Sequence, residues 1–163
     1  MIYQTDDEFE PDIRHFGCYF LSLMYQLNRF FAIPVLDHKV IEAIYATCEH
    51  IDANNNGVTD MQPECFISDP QGVVDFVVPG RVIFAGAADK AYACQSGEFA
   101  IQEWFNPKRP DPANPGKTIG TDFHHFVAEG HDGGVEYDPI EGGSVTVRNG
   151  SMISKRIYRI KSA

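Results

Sequence analysis

The hydrophobic pattern divides the chain into a helical first third and a second half of short strands. From Cys18 to Phe31, apolar side chains cover almost the whole helix circumference, which is typical of a helix buried in a core. A second helix is predicted after Asp37, whose side chain can cap it, because apolar residues then recur at helical spacing: Val40, Ile41, Ile44, Tyr45 and Cys48. Residues 1–16 are predicted to be an extended lead-in, because Pro11 interrupts helix formation.

Shorter apolar runs predict the strands. They lie at residues 64–68, 82–85, 98–105, 121–128 and 133–138, and residues 144–160 are predicted to form a hairpin that turns at Asn149 and Gly150. Residues 69–72 have the composition of a turn, and the apolar run 73–78 fits either a helix or a strand. The Pro- and Gly-rich segment 106–120 is predicted to be an irregular loop. The pattern as a whole predicts one α+β domain over residues 1–163, with the N-terminal helix packed on a mostly antiparallel sheet.

Composition and charge exclude some classes of binding partner and some cellular locations for this protein. With 163 residues, of which 44% are hydrophobic, the chain is long enough for one domain with a core. A net charge of −10 argues against binding to nucleic acids or to anionic lipids. Neither a signal peptide nor an apolar run long enough to cross a membrane is visible, so we expect no membrane contact and a cytoplasmic location. The four cysteines form no C-x-x-C pair and are predicted to be reduced.

Cys18 carries the strongest chemical signal. A thiol in the first turn of a helix lies at the positive end of the helix dipole, which favours the thiolate. Cys18 is therefore a candidate nucleophile, although a small residue that opens a core helix is the simpler interpretation. A base near the thiol would favour the interpretation of Cys18 as a nucleophile. Candidates for it are His124 and His125, which lie on one predicted strand, and Asp138 ends the next strand. Because side chains alternate along a strand, only one of the two histidines can face Cys18.

Three short segments resemble the papain-like cysteine peptidases: Phe-Gly-Cys-Tyr at 16–19, His-Phe-Val at 125–127 and Tyr-Asp-Pro at 137–139. The likeness is greatest to the peptidases that process the double-glycine leaders of bacteriocins. The chain also resembles an uncharacterised family of short phage- and plasmid-borne proteins, through the Gly-Cys-Tyr-Phe helix start at residues 17–20. The resemblance implies a papain-like fold, and it implies hydrolysis of a peptide or related amide bond in a peptide or protein substrate, without a cofactor.

The resemblance also implies a role for each member of a triad. Cys18 would be the nucleophile, His125 the base and later the acid, and Asp138 the group that orients the imidazole. His125 is preferred over His124 because the apolar residues that follow it match the family pattern.

One position departs from this resemblance. The family normally carries a glutamine about six residues before the cysteine, whose amide donates to the oxyanion. This chain has Asp12 there, and an ionised carboxylate would repel the oxyanion. Arg14, His15 and Gln4 are candidate replacement donors. The alternative function is therefore a catalytically inactive papain-like protein with a binding or structural role.

The sequence predicts a protein without a metal site. A calcium site and a zinc site are weaker alternatives. Residues 52–57 resemble the start of a calcium-binding EF-hand loop, with oxygen ligands at Asp52, Asn54 and Asn56. The glutamate expected at position twelve of such a loop is missing, because Pro63 stands there. A zinc site would have to combine Cys18 or Asp138 with histidines from the set His124, His125 and His131. The two adjacent histidines point to opposite sides of their strand, which weakens this alternative.

Overall fold

The computed structural model describes residues 1–119 and 123–162, which form five helices and nine strands. The helices are α1 Pro11–Phe16, α2 Cys18–Phe31, α3 His38–Cys48, α4 Pro70–Val77 and α5 Val145–Asn149. The strands are β1 Met61–Gln62, β2 Phe66–Ile67, β3 Val82–Asp89, β4 Glu98–Asn106, β5 Arg109–Pro110, β6 Thr118–Ile119, β7 Phe123–Glu129, β8 Val135–Tyr137 and β9 Ser151–Ile160. Within this described part, every helix is too short or too polar to cross a membrane.

Five strands build one antiparallel sheet in the order β3-β9-β4-β7-β8. Strand β9 therefore lies inside the sheet, between β3 and β4, far from β8, which precedes it in the chain. Two separate pairs, β1 with β2 and β5 with β6, lie outside this sheet. The mixed α+β architecture with a mostly antiparallel sheet confirms the prediction from the hydrophobic pattern.

Helix α2 lies at the centre of the core, and polar side chains fix it to the sheet. Its apolar residues are fully buried at Phe20, Leu21, Leu23, Met24 and Leu27. Ser22 Oγ donates to the carbonyl of Phe126 in β7 at 3.2 Å. The fully buried Gln26 donates from Nε2 to the carbonyls of Ala100 in β4 and Glu129 in β7, at 2.9 Å each. These bonds fix the helix that begins at Cys18 to two neighbouring strands.

Helix α3 agrees closely with its prediction. Oδ1 of Asp37 accepts from the backbone N–H groups of Lys39 and Val40 at 3.0 and 3.1 Å, so the predicted cap is present. Four of the five apolar positions predicted for its core face are buried, and only Val40 is exposed. The helix thereby brings Tyr45 into the core.

Three predictions of local structure are wrong. Residues 11–16 form α1 instead of an extended lead-in, because Pro11 stands in the first helical turn, where its missing N–H is no obstacle. Pro70 opens α4 in the same way, so residues 69–72 begin a helix that continues through the apolar run. Residues 145–149 form α5 instead of a strand, because Ser144 Oγ accepts from Val147 N–H at 3.2 Å and caps the helix.

The Pro-rich segment before the histidine strand is less irregular than predicted, since it contains the short pair β5 and β6. Gly120, at the end of that predicted loop, lies outside the described residues, as do Thr121 and Asp122 of the predicted strand 121–128. The described part of that strand is β7.

We expect Gln26→Leu to destabilise the fold by about 2 kcal/mol or more, because the carbonyls of Ala100 and Glu129 would each lose a buried donor. The free energy of unfolding from urea denaturation measures this. Gln95→Leu, at an exposed position, is the matched control and should stay within about 0.5 kcal/mol of the wild type. Equal losses in the two variants would contradict the role of Gln26 in docking α2.

Candidate active site

Cys18 owes its position to a break between two helices. Helix α1 ends at Phe16, Gly17 comes next, and α2 begins with Cys18. A Cβ on Gly17 would lie 2.5 Å from the carbonyl oxygen of Ile13, so the backbone passes too close for any side chain. The break leaves Cys18 partly exposed in the first turn of α2, where the helix dipole favours negative charge.

His125 and Asp138 come to Cys18 from two neighbouring strands. His125 is a buried residue of β7, and Asp138 directly follows β8, the strand that pairs with β7. His125 Nε2 lies 2.7 Å from Asp138 Oδ1. Cys18 is near enough to this imidazole to raise its pKa, and Nδ1 is the ring nitrogen that does not face Asp138. The structure thus brings together all three residues of the predicted triad.

Backbone donors hold the Asp138 carboxylate in place. Its Oδ1 also accepts from the N–H of Ile140 at 2.9 Å, and its Oδ2 accepts from the N–H of Ser144 at 2.8 Å. Both oxygens are therefore fixed, and the carboxylate has no freedom to turn away from the imidazole. Ser144 at the same time caps α5, so this short helix is part of the support for the site.

The electrostatics favour a charged pair at neutral pH. Burial by itself would lower the pKa of His125, but the hydrogen bonds to Asp138 and Cys18 outweigh it and raise the pKa from 6.5 to about 9. Burial likewise opposes ionisation of Asp138, yet the hydrogen bonds from His125 and from the Ile140 N–H keep the pKa of this carboxyl below its usual value. A protonated His125 is therefore available to donate a proton at neutral pH.

His124, the residue before His125 in β7, is not part of this arrangement, although it lines the same cavity as Cys18. Its side chain is 53% exposed, and Nδ1 lies 2.9 Å from Glu103 Oε1. The structure therefore joins His125 and not His124 to Cys18 and Asp138. His131, a further candidate for a zinc site, lines a different cavity. Among residues 1–119 and 123–162, neither Cys18 nor any histidine belongs to a cluster with metal-ligand geometry.

Cys18 opens onto a cleft of about 890 Å³. Three large apolar side chains that line it are strongly exposed: Phe16 at 48%, Phe66 at 59% and Phe123 at 58%. They come from α1, β2 and β7, so the cleft is bordered on several sides by aromatic rings. A chain with apolar side chains could lie there with a backbone carbonyl beside the thiol.

Asp12, the residue at the expected glutamine position, is an acceptor that holds one wall of this cleft. Its Oδ2 accepts from the hydroxyl of Tyr45 at 2.9 Å and from the N–H of Glu64 at 3.0 Å. The same Tyr45 oxygen accepts from the N–H of Cys65 at 3.0 Å. Burial raises the pKa of Tyr45, so its hydroxyl stays protonated and can donate to the carboxylate.

The wall held in this way has an unusual backbone. Glu64 and Cys65 have φ angles of +65° and +52°, a left-handed conformation that costs non-glycine residues about 1–3 kcal/mol each. The bonds to Asp12 and Tyr45 compensate this cost. Sequence reasoning missed the wall, since left-handed Glu and Cys carry no sequence signal.

The candidate replacement donors are placed differently from one another. His15 is exposed and lines the cleft, and it is the one polar donor of the three that does so. Arg14 lies 3.7 Å from Asp7 Oδ1, and neither Arg14 nor Asp12 lines the cleft. Gln4 is buried and donates from Nε2 to the carbonyl of Arg14 at 3.0 Å.

The loop that is the weaker, calcium-binding alternative is also built differently from its sequence pattern. Asp52 accepts from the N–H groups of Asn56 and Gly57 at 3.0 and 2.7 Å, as in a tight loop. Carboxylate oxygens of Asp52, Asp60 and Asp69 lie within 4.8 Å of one another. Asn56, a predicted ligand, instead donates from Nδ2 to Asp69 Oδ2 at 2.7 Å. Asp60 and Asp69 are not among the residues that the sequence pattern predicts.

Comparison with known proteins identifies a family for this chain. A family model described as "Protein of unknown function, DUF261" matches residues 1–160. No curated protein and no solved structure matches the chain.

We expect His125 to titrate at about pH 9 in the native protein. Because this value exceeds the unfolded value of about 6.5, the charged imidazole stabilises the fold fully below pH 6.5. That contribution is lost as the pH rises through about 9. Asp138→Asn should lower the pKa of His125, since the ring would lose its anionic partner.

Nuclear magnetic resonance of the histidine rings measures this titration, with His124→Ala as the control that should leave His125 unchanged. A pKa of His125 near 6.5, or one that Asp138→Asn does not move, would contradict the assignment.

Proposed function

The chain belongs to the DUF261 family, and we propose that it is a cysteine-dependent hydrolase of a peptide or related amide bond. The observation that carries the proposal is the His125 ring, which is hydrogen-bonded to Asp138 and lies close enough to Cys18 for the thiol to raise its pKa. A thiol, an imidazole and a carboxylate in series are the groups that acyl transfer from an amide needs.

The reaction would use each of these contacts. The thiolate of Cys18 attacks the substrate carbonyl carbon, and the backbone N–H groups in the first turn of α2 stabilise the oxyanion. The C–N bond breaks as His125 gives its Nδ1 proton to the leaving amine, which leaves an acyl thioester on Cys18. His125 then takes a proton from water, which attacks the thioester and releases the carboxylic acid. Asp138 holds the imidazole through Nε2 during both halves of the reaction.

A papain-like fold is part of the proposal. The order of the cysteine helix, the histidine strand and the aspartate after the next strand supports it, as does the packing of α2 on β4 and β7 through Gln26. A reducing compartment such as the cytoplasm would suit this chemistry, and all four cysteines are free. The substrate we propose is a peptide or protein segment with apolar side chains, because Phe16, Phe66 and Phe123 border the cleft.

The second candidate is a papain-like protein that binds a peptide without cleaving it. The observation in its favour is Asp12, since this position supplies no amide to the oxyanion and the carboxylate holds the Glu64 backbone instead. Peptide cleavage by the wild type that is lost in Cys18→Ala would distinguish the two candidates, because only a hydrolase depends on the thiol.

We expect Cys18 to react with iodoacetamide at pH 6 at a rate that His125→Ala lowers by roughly ten-fold or more, because the thiolate would lose its cationic partner. His124→Ala should leave the rate unchanged, because this ring lines the same cleft but contacts Glu103 and not Asp138. Peptide mass spectrometry measures the rate for each cysteine.

Cys94 is an internal control in the same experiment. Burial and the Glu129 carboxylate raise the pKa of its thiol to about 11, so it should stay largely unmodified at pH 6. If Cys18 reacts as slowly as Cys94 in the wild type, the thiol is not activated and the hydrolase proposal fails.

Cleavage itself is tested with a mixture of peptides that carry apolar residues at different positions, analysed by mass spectrometry. We expect cleavage by the wild type, none by Cys18→Ala, and a rate lowered roughly 100-fold or more by Asp138→Asn, since the imidazole would lose its orienting group. Cleavage that persists in Cys18→Ala would contradict the proposal. Peptide binding of equal strength by wild type and Cys18→Ala, without cleavage by either, would favour the second candidate.

A further inference from the structure

A second cluster of functional groups lies at the base of the hairpin formed by β1 and β2. Oxygen atoms of Asp52, Asp60 and Asp69 converge within 4.8 Å. Asp60 is fully buried and Asp69 is 7% exposed, so two of the three charges are shielded from water. The ion pairs formed by the described residues include none of these three carboxylates. Buried charges without a protein counter-charge are costly and are usually paired or bound to a metal.

A neutral side chain gives an independent indication of a ligand. Oδ1 of Asn54 is fully buried, and no donor among the described residues reaches it. A buried oxygen left without a partner costs about 1–3 kcal/mol. Asn54 stands two residues after Asp52, where an EF-hand loop supplies its second ligand. A cation bound by the loop would satisfy this oxygen.

The remaining groups in the cluster support the same interpretation. Asp69 occupies the N-cap position of α4, but its side chain makes no capping hydrogen bond to that helix. Its Oδ2 accepts instead from Asn56 Nδ2, which holds the carboxylate near the loop. Asp60 stands at position nine counted from Asp52, which is also a ligand position in EF-hand loops. Asp69 comes from beyond the hairpin and supplies a carboxylate in place of the missing glutamate.

We propose that this cluster is a calcium site whose protein ligands are Asp52, Asn54, Asp60 and Asp69. Carboxylate and amide oxygens without nitrogen or sulfur match a hard cation, and three carboxylates outweigh the charge of one Ca²⁺. Ca²⁺ suits an irregular loop better than Mg²⁺, which demands near-octahedral geometry and keeps its water. The site is separate from Cys18, so the proposal of a calcium site does not depend on the proposed hydrolase activity.

The position of the site suits a structural role for the bound calcium ion. Asp60 directly precedes β1 and Asp69 follows β2 by two residues, so one ion would join both ends of this hairpin. The loop between these strands, with Glu64 and Cys65, is the wall of the cleft beside Cys18. Bound calcium would therefore hold the base of this hairpin, while Asp12 holds the Glu64 backbone between the two strands.

The test is calorimetric titration of the full chain with CaCl₂, after treatment with a chelator and return to chelator-free buffer with physiological salt. We expect one site with a dissociation constant in the micromolar to millimolar range, and clearly weaker binding of MgCl₂. Asn54→Ala should weaken calcium binding at least about ten-fold, the low end of what metal sites lose with even a supporting partner. Glu141→Gln, an exposed acid far along the chain, is the control for the overall negative charge and should bind as the wild type does.

Melting temperatures without calcium separate binding from folding. Asn54→Ala should be at least as stable as the wild type there, because it removes an unsatisfied buried oxygen. Asp60→Asn is a second variant, and it should lose calcium binding if it folds. If Asp60→Asn does not fold, the calcium affinity of Asn54→Ala tests the proposal. The proposal is overturned if calcium fails to bind, if magnesium binds equally well, or if Asn54→Ala and Glu141→Gln affect binding alike.

Discussion

The contact between α2 and the sheet is the constraint on which the rest of the structure depends. A helix that is apolar on almost all sides can rotate or slide in a core without large loss of burial, since every face is equally acceptable there. Gln26 and Ser22 remove that freedom, because each donates to a particular carbonyl in β4 or β7. The position of Cys18 relative to His125 is therefore fixed by hydrogen bonds made further along α2 than the thiol.

Two aspartates support the proposed reaction centre from different environments. Asp138 is nearly buried, accepts from a cationic ring and two backbone N–H groups, and so helps to keep His125 charged. Asp12 instead accepts from Tyr45 and from the backbone of Glu64. The same residue type thus orients an imidazole in one place and supports a strained loop in another, and the hydrogen-bond partners decide which.

The parts of this structure that sequence can predict are those set by local pattern. Helix α2 has an unmistakable apolar run, and Asp37 is a side-chain cap immediately before α3, so the sequence predicts both with their ends. Pro11 and Pro70 mislead because a proline that breaks a helix and one that begins it are distinguished only by the residues after them. Other features join residues that are not neighbours in sequence. They are the pairing of β9 with β3 and β4, the hydrogen bond from Cys65 to Tyr45, and the approach of Asp69 to Asp60. One unaligned sequence carries no record of such pairings.

The interior position of β9 has a consequence for the order of events during synthesis. Strands β3 and β4 have no direct pairing with each other, since β9 lies between them, and β4 supports the strand that carries His125. The ribosome must release residues 151–160 before this sheet can close. Cys18 leaves the ribosome long before the histidine and the sheet that would activate it. In the nascent chain Cys18 therefore lacks His125 as a partner, and the proposed hydrolase would be inactive until translation of the domain is complete.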